Sequence, residues 1–127
     1  MKPSSVVLAL VQREGRWFLQ RRDPGNGVLP GLWEFPGGKA GQGESLVDAL
    51  RRELQEELGW EPSSFTSIDG IDGGEHRYHD RIVRLHPFVC EGELVARTNL
   101  SWGWFTVDEM NRLPIPEANR SLLKRLR

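Results

Sequence analysis

Residues 45–59, SLVDALRRELQEELG, contain the clearest helix signal in the chain. Ser45 with Asp48 resembles a capping box at the start of a helix, and Gly59 stands where a glycine commonly ends one. We therefore predict a helix over residues 45–58. Its apolar residues fall within about 120° of a helical wheel at 100° per residue, which predicts one face packed in a core; they are Leu46, Val47, Leu50, Leu54 and Leu58.

The same helix carries three glutamates, Glu53, Glu56 and Glu57, on one side. Carboxylates at these spacings repel one another and weaken a helix. A cation that prefers oxygen ligands, such as Mg²⁺, would remove the repulsion and would share its coordination shell with substrate phosphates. These residues alone leave a second interpretation equally open, a solvated helix face with Arg51 and Arg52 as counter-charges.

Length, charge and cysteine content narrow the classes of protein to consider. A chain of 127 residues fits one domain, and we expect residues 1–127 to form it. The net charge of −1 predicts no stable nucleic-acid partner. Cys90 is the only cysteine, which excludes an intramolecular disulfide and favours a cytoplasmic protein. The apolar run from Val6 to Val11 is too short to span a bilayer, so we expect no membrane association.

The chain before the helix predicts strands and loops. Residues 5–12 and 15–22 are rich in β-branched and aromatic residues and predict a hairpin that turns at Glu14 and Gly15. The next segments predict, in chain order, a loop at 23–31, a short strand at 32–35, and at 36–45 a glycine-rich shaped loop without regular structure.

The chain after the helix predicts more strands and two helices. Thr106 with Glu109 is a second capping-box signal, and Pro116 is a good first residue for a last helix that buries Leu122, Leu123 and Leu126. The expected elements are strands at 65–74, 81–91 and 102–107, a polar stretch at 73–80, and helices at 107–112 and from about 116. This order predicts an α+β fold with helices on the faces of a mixed sheet.

The loop at 36–45 strengthens the metal interpretation. It places glycine-rich backbone and Lys39 beside the start of the acidic helix, and backbone N–H groups in such loops bind phosphate. A glycine-rich loop alone is more often a plain connection. Combined with the three glutamates, it predicts a small phosphate-bearing substrate bridged by a metal ion, with water attacking phosphorus.

The segment from Gly38 to Trp60 resembles the Nudix hydrolase box in both residue types and spacing. Only Trp60 departs from it, being aromatic where the family is usually aliphatic. Outside the box, the segments that are similar to the MutT branch of nucleoside triphosphate pyrophosphohydrolases are LWEFPGGK at 32–39, the pair Arg21–Arg22 and PIPEANRSLLKRL at 114–126. The box itself reads Gly38, KAGQG, Glu44, SLVDALR, Arg52, Glu53, Leu54, Gln55, Glu56, Glu57, Leu58 and Gly59.

The resemblance implies a Nudix fold, an α/β/α sandwich with a mixed central sheet, and a divalent cation. Mg²⁺, or Mn²⁺ in its place, would be held by Glu53, Glu56 and Glu57, with the backbone carbonyl near Gly37 or Gly38 as a further ligand. The catalytic set would also include Arg52, which would orient the glutamates, and Glu44, which would brace the loop against the helix.

The resemblance also implies a substrate, a nucleotide bound by a monomer or a homodimer. The products would be a nucleoside monophosphate and pyrophosphate. Asn119 matches the position that reads the purine edge, Phe35 and Arg22 match pocket positions, and Lys39 would meet phosphate. The first expected substrates are 8-oxo-dGTP and dGTP, followed by CTP-like pyrimidine triphosphates and the 5′-triphosphate end of RNA.

The resemblance leaves the general base open and leaves one alternative from another functional class. Related enzymes often supply a further acid before the late tryptophan strand, but residues 96–104, ARTNLSWGW, contain none. The general base is therefore open between Glu53, Glu57 and an acid from elsewhere, with Glu53 slightly favoured. A non-catalytic lesion-recognition module, like the Nudix-related module of adenine DNA glycosylases, is the alternative from another class; such modules commonly lose box acids, which this chain keeps.

Overall fold

The computed structural model describes residues 2–22, 31–67 and 74–126, in which nine strands and three helices form two sheets and their covering layers. No helix in these ranges is long and apolar enough to cross a membrane. The elements are β1 (Ser4–Leu10), β2 (Gln12–Arg13), β3 (Arg16–Arg21), β4 (Trp33–Glu34), β5 (Gly37–Lys39), α1 (Leu46–Leu58), β6 (Ser64–Ser67), β7 (Glu75–Arg77), β8 (Ile82–Glu91), β9 (Trp102–Phe105), α2 (Val107–Met110) and α3 (Glu117–Leu123).

The first sheet is mixed and the second is antiparallel. In the first, β1 lies between β5, which runs antiparallel to it, and β8, which runs parallel. β6 and β7 both pair with β8 in the antiparallel direction. In the second sheet, β3 pairs with β2, β4 and β9. The predicted mixed sheet and the α+β class are confirmed.

Alternate residues of β1 pack on opposite sides of the first sheet. Leu8 lies in a cluster with Leu122 of α3, whereas Val7 lies in a second cluster with Leu54 of α1. Because side chains of a strand alternate between faces, one strand supplies both clusters. The sheets therefore lie between α1 on one side and α2 with α3 on the other, the predicted α/β/α arrangement.

The predicted hairpin is wrong for β1. The paired segment around the turn is only β2 with the start of β3, and the turn residues Glu14 and Gly15 have positive φ values of 51° and 77°. β1 instead pairs with β8 over its full length, from Ser4 opposite Val83 to Leu10 opposite Val89. Its run of consecutive apolar residues explains the difference, because a strand buried on both faces needs a central place in a covered sheet.

The prediction of no regular structure at 36–45 is wrong for β5. Gly37 and Gly38 pair with β1, with Gly37 opposite Leu8 and Gly38 opposite Val7. A Cβ at Gly37 would lie 1.9 Å from the carbonyl oxygen of Val7 and the residue has a φ of 148°, so glycine is what permits this close pairing.

The helix predictions are confirmed with small shifts in their ends. Ser45 caps α1 and Gly59 follows it in the left-handed conformation. The complete capping box of α2 joins Thr106 and Glu109, but the helix ends at Met110 rather than at residue 112. α3 begins one residue after Pro116. Of the apolar residues predicted to be buried in α1, Leu46 and Val47 are only half-buried. The predicted leucines that are buried are Leu50, Leu54, Leu58, Leu122, Leu123 and Leu126.

Two other predicted segments lie partly outside the described residues. β6 ends at Ser67, and the rest of the strand predicted over 65–74 lies largely outside those ranges, as does most of the loop predicted at 23–31. The polar stretch predicted at 73–80 contains the short strand β7. Trp60, the residue that departs from the box, is buried, and its indole N–H donates to the carbonyl of Glu93 at 3.0 Å.

Candidate active site

The two ends of α1 fix which of its residues meet β5. At the start, the Ser45 hydroxyl accepts a hydrogen bond from the N–H of Asp48 at 3.1 Å. At the end, the N–H of Gly59 donates to the carbonyl of Gln55 at 3.1 Å, a common way to satisfy a helix terminus. The buried leucines fix the rotation of the helix about its axis, and Glu53 and Glu57 face the glycines of β5.

Glu53 lies directly against the backbone of Gly38. A Cβ built on Gly38 would be 2.5 Å from Cδ of Glu53, so only a glycine leaves room for the carboxylate in this position. The Glu53 side chain is 16% exposed. Burial raises the pKa of Glu53, and the hydrogen bond from Arg52 opposes this change.

Glu57 is the most perturbed of the three helix glutamates. Its Oε2 accepts a hydrogen bond from the N–H of Gly37 at 3.0 Å, and its carboxylate also accepts one from the side chain of Gln20. Burial, with smaller contributions from the negative charges of Glu53 and Glu34, raises the pKa of Glu57 to about 8. The charged carboxylate is therefore costly here unless a cation joins it.

Glu56 takes a different position from the other two. Its side chain is 60% exposed, and Oε2 accepts from Nη1 of Arg52 at 3.4 Å. The three glutamates therefore lie along one side of α1, as the helical spacing requires, but two are turned toward β5 and the third toward solvent.

Arg52 connects the helix to the loop before it. Its Nε and Nη2 donate to the two carboxylate oxygens of Glu44 at 2.9 and 3.0 Å, and Nη1 donates to Glu53 at 3.1 Å. Nη2 also donates to the carbonyl of Lys39 at 3.2 Å. Glu44 in turn accepts from the N–H of Gly41 at 2.8 Å. These contacts are the ones expected of a residue that orients the glutamates and of one that braces the loop.

The opposite charges of Arg52 and Glu44 shift the pKa values of both groups. The hydrogen bonds from Arg52, helped by the Gly41 N–H, lower the pKa of Glu44 to about 2. The pKa of Arg52 is raised, chiefly by the hydrogen bonds with Glu44. Both groups are charged at every pH at which the protein would work.

The donor set fits a hard divalent cation. Glu53 offers carboxylate oxygens beside Gly38 and Glu57 beside Gly37, and these are the ligand types that Mg²⁺ and Mn²⁺ accept. Within residues 2–22, 31–67 and 74–126, no three His, Cys, Asp or Glu side chains are gathered closely enough to hold an ion by themselves. A cation here would thus depend on the Gly38 carbonyl and on substrate oxygens as well as on the two glutamates.

A cavity of about 280 Å³ adjoins β5, although Glu53, Glu56 and Glu57 are not among the residues that line it. It lies between the first sheet and α3, and Gly37 and Gly38 form part of its wall. The four residues predicted to bind substrate all line it; they are Arg22, Phe35, Lys39 and Asn119. The fold thus brings positions from three separate segments of the chain to one cavity, which shares the Gly37 and Gly38 backbone with Glu57 and Glu53.

Two lining residues carry buried polar atoms that have no partner among the described residues. One is Oδ1 of Asn119, a side chain only 7% exposed, and the other is Nε of Arg22. A buried polar atom left unpaired costs about 1–3 kcal/mol. Arg22 is held in place by Glu34, whose Oε2 accepts from its Nη2 at 3.0 Å. An acceptor and a donor are therefore available to a ligand in this cavity.

Sequence reasoning missed Gln20 and Glu34. They are paired neighbours on β3 and β4 and lie beside Glu57. Burial raises the pKa of Glu34, while the charge of Arg22 lowers it. The available signal was strand alternation: Gln20 is two residues after the buried Phe18, so it occupies an inward position where an apolar residue is normal.

Tyr78 and Arg81 were also missed. Both line the cavity, and the Arg81 guanidinium lies 5.1 Å from the centre of the Tyr78 ring. The N–H of Tyr78 donates to the carbonyl of Arg81 at 2.7 Å, which closes the turn before β8. The sequence showed only an aromatic residue and an arginine in a polar stretch, and nothing in that stretch indicates where the turn lies.

Comparisons with known proteins agree that this chain is similar to Nudix hydrolases. The family model described as NUDIX domain matches residues 6–125. The CTP pyrophosphohydrolase of Escherichia coli K12 is 35% identical over 98% of this chain and 91% of its own length. The 8-oxo-dGTP diphosphatase of the same strain is 27% identical over 100% of this chain and 98% of its own. A solved MutT NUDIX hydrolase from Burkholderia pseudomallei has a TM-score of 0.80 at 25% identity, with both chains fully covered.

Proposed function

Since the chain belongs to the Nudix family and is a pyrophosphohydrolase of nucleotides, we propose that it is a Mg²⁺-dependent enzyme of MutT type for purine nucleoside triphosphates. The leading substrates are 8-oxo-dGTP and dGTP, and the products are the nucleoside monophosphate and pyrophosphate. The observation that carries this proposal is that two features meet at the backbone of Gly37 and Gly38: the carboxylates of Glu53 and Glu57, and a cavity of about 280 Å³ that Asn119 also lines.

The carboxylate region would carry out the reaction at phosphorus. Glu53, Glu57 and the Gly38 carbonyl would hold the cation, with Glu56 as a further acid from the same helix. A bound Mg²⁺ neutralises phosphoryl oxygens and the leaving group during attack by water. Arg52 fixes Glu53 through its hydrogen bond, and the Glu44 carboxylate fixes Arg52. The proton of the attacking water would go to Glu53 or Glu57, with Glu53 favoured.

The cavity would bind the nucleoside. The Asn119 amide offers both a donor and an acceptor, which suits the edge of a purine base. Phe35 and Tyr78 provide apolar and aromatic wall, and Lys39 with Arg22 provides positive charge toward the phosphates. The near-neutral net charge of the chain agrees with a small nucleotide rather than a long RNA.

Pyrimidine triphosphates are the second candidate. The observation that favours them is the CTP pyrophosphohydrolase similarity, which extends over nearly the whole chain. A direct substrate comparison decides between the two classes.

The deciding experiment incubates the protein with Mg²⁺ and a panel of nucleoside triphosphates, oxidised and not, and measures pyrophosphate against orthophosphate. We expect pyrophosphate release with the highest kcat/KM for 8-oxo-dGTP or dGTP, and no turnover in EDTA. Highest kcat/KM for CTP would select the second candidate. Release of orthophosphate alone would contradict the MutT assignment, and turnover of no substrate would indicate a recognition module.

A variant pair tests the role of Asn119. Asn119→Ala removes the base-facing amide and should lower kcat/KM for purine triphosphates by about 10- to 100-fold, with a much smaller effect on pyrimidine triphosphates. Asn99→Ala, at an exposed position outside the cavity, is the matched control and should behave as wild type. An equal loss for all bases in Asn119→Ala would remove its assigned role.

A further inference from the structure

Gln20 is a polar residue in an apolar position. It lies near the end of β3 on the side that faces α1, two residues after Phe18, and its side chain is 1% exposed. Phe18 belongs to the apolar cluster under α1. The strand pattern therefore calls for an apolar residue at position 20, where the chain has an amide.

The Gln20 amide contacts the carboxylate of Glu57. Glu57 accepts one hydrogen bond from the N–H of Gly37 in β5 and another from Gln20 in β3. Both donors are neutral. The carboxylate is thus fixed from two strands that belong to different sheets, while its own backbone belongs to α1.

Packing alone does not account for Gln20. Its Oε1 is buried and has no hydrogen-bond partner among the described residues. A methionine has nearly the same length and would fill the space without an unpaired oxygen, which makes it the less costly choice for a core. What methionine lacks is the N–H donor that reaches Glu57.

Charged donors near this site are used by other carboxylates. Arg52 donates to Glu44, Glu53 and Glu56, and Arg22 donates to Glu34. The orientation of Glu57 therefore depends on the two neutral donors. Without Gln20, only the N–H of Gly37 would hold this carboxylate.

We propose that Gln20 is a positioning residue for Glu57, which keeps this carboxylate turned toward the Gly37–Gly38 backbone and thereby sets the affinity of the site for a divalent cation. The inference rests on the proposed function in that it takes Glu57 as a metal ligand. Outer partners of metal ligands commonly change metal affinity by about 10- to 100-fold when they are removed.

The test compares Gln20→Met with wild type in two measurements. The first is Mn²⁺ binding to the purified protein without nucleotide, followed by electron paramagnetic resonance of free Mn²⁺; we expect about tenfold weaker binding. The second is the Mg²⁺ concentration for half-maximal turnover, which should rise by a similar factor, while KM for nucleotide at saturating Mg²⁺ stays within twofold. A purely structural role would instead lower the midpoint of metal-free unfolding and leave Mn²⁺ binding unchanged.

Two further variants complete the test. Gln55→Met makes the same change at an exposed position of α1, two residues before Glu57, and should bind Mn²⁺ as wild type does. Gln20→Asn keeps an amide but is one methylene shorter, so it should weaken Mn²⁺ binding even if the methionine variant does not fold. Mn²⁺ affinity within twofold of wild type in a folded Gln20 variant would overturn the inference. Wild-type Mn²⁺ binding without turnover of any nucleotide would overturn the proposed function instead.

Discussion

Glu44 and Glu57 can be compared directly, since both accept a hydrogen bond from a glycine N–H in the segment before α1. Gly41 donates to Glu44 at 2.8 Å, and Gly37 donates to Glu57 at 3.0 Å. Glu44 also receives two bonds from Arg52, which hold its pKa at about 2. Burial raises the pKa of Glu57 to about 8.

The difference shows how this site divides its charges. At Glu44 the protein supplies the positive charge itself, through the guanidinium of Arg52. That carboxylate therefore needs no external cation and serves to hold the loop. At Glu57 the protein supplies only neutral donors, and Glu53 and Glu34 add negative charge nearby. A buried carboxylate left in this state binds either a proton or an external cation.

The strongest way to break this comparison is to neutralise the two helix glutamates that face β5. Glu57→Gln and Glu53→Gln should each lower kcat by orders of magnitude, since each loses a charged ligand, while far-ultraviolet circular dichroism shows an intact fold. Glu61→Gln, at an exposed glutamate paired with Arg51, is the control and should stay near the wild-type rate. A wild-type rate in a folded Glu57→Gln or Glu53→Gln variant would refute the assignment of that residue.

Alanine variants of two neighbouring glycines distinguish an effect on the active site from an effect on folding. In Gly38→Ala the new Cβ meets the end of the Glu53 side chain, which can shift, so we expect activity to fall about 10- to 100-fold while the protein stays folded. In Gly37→Ala the Cβ meets the backbone of Val7, so we expect loss of folding. Thermal unfolding of both variants, together with turnover of Gly38→Ala, checks this. A fully active Gly38→Ala enzyme would contradict the placement of Glu53.

Removal of the Arg52 guanidinium, which compensates the charge of Glu44, tests the other half of the comparison. Arg52→Gln should raise the Mg²⁺ concentration for half-maximal turnover by about tenfold, because Glu53 and the loop lose a common partner. Arg51→Gln changes the neighbouring arginine, whose partners Asp48 and Glu61 are exposed, and should change this value by less than twofold. Equal behaviour of the two variants would argue against an orienting role for Arg52.

The last effect is on the stability of the metal-free protein, and it changes no active-site chemistry. The pKa of Glu57 is about 8 in the folded protein and near 4.5 when the chain is unfolded, so between these values the folded state holds more protons. Its contribution to the free energy of unfolding is therefore present below pH 4.5 and is lost as the pH rises through 8, by at most about 1.4 kcal/mol per pH unit.

Urea unfolding in EDTA between pH 5 and 8 measures this slope, as the difference between wild type and Glu57→Gln. Glu44 does not interfere, because its pKa is lowered and its contribution is lost only as the pH falls from about 4.5 through 2. Parallel pH dependence in wild type and Glu57→Gln would show that Glu57 is not the raised group.

Local chemistry made α1 and its contacts the most predictable part of the molecule. The caps at Ser45 and Gly59 and the leucine stripe are properties of adjacent residues, and the structure confirms them. The pairing partner of β1 could not be predicted from adjacent residues in this way. The turn at Glu14 and Gly15 was visible, but the partner of β1 is β8, more than seventy residues later, and only burial on both faces selects it.

The sequence by itself determined the family, the order of the helices and the acidic surface of α1, because these depend on spacing within one continuous segment. Only the tertiary structure decided that Glu53 and Glu57 face β5 while Glu56 faces solvent, that Gln20 and Glu34 join Glu57, and that Asn119 shares a cavity with Phe35. The physical reason is that pKa values, unpaired polar atoms and cavities arise from the packing of distant segments against one another, and the spacing of residues along the chain does not specify that packing.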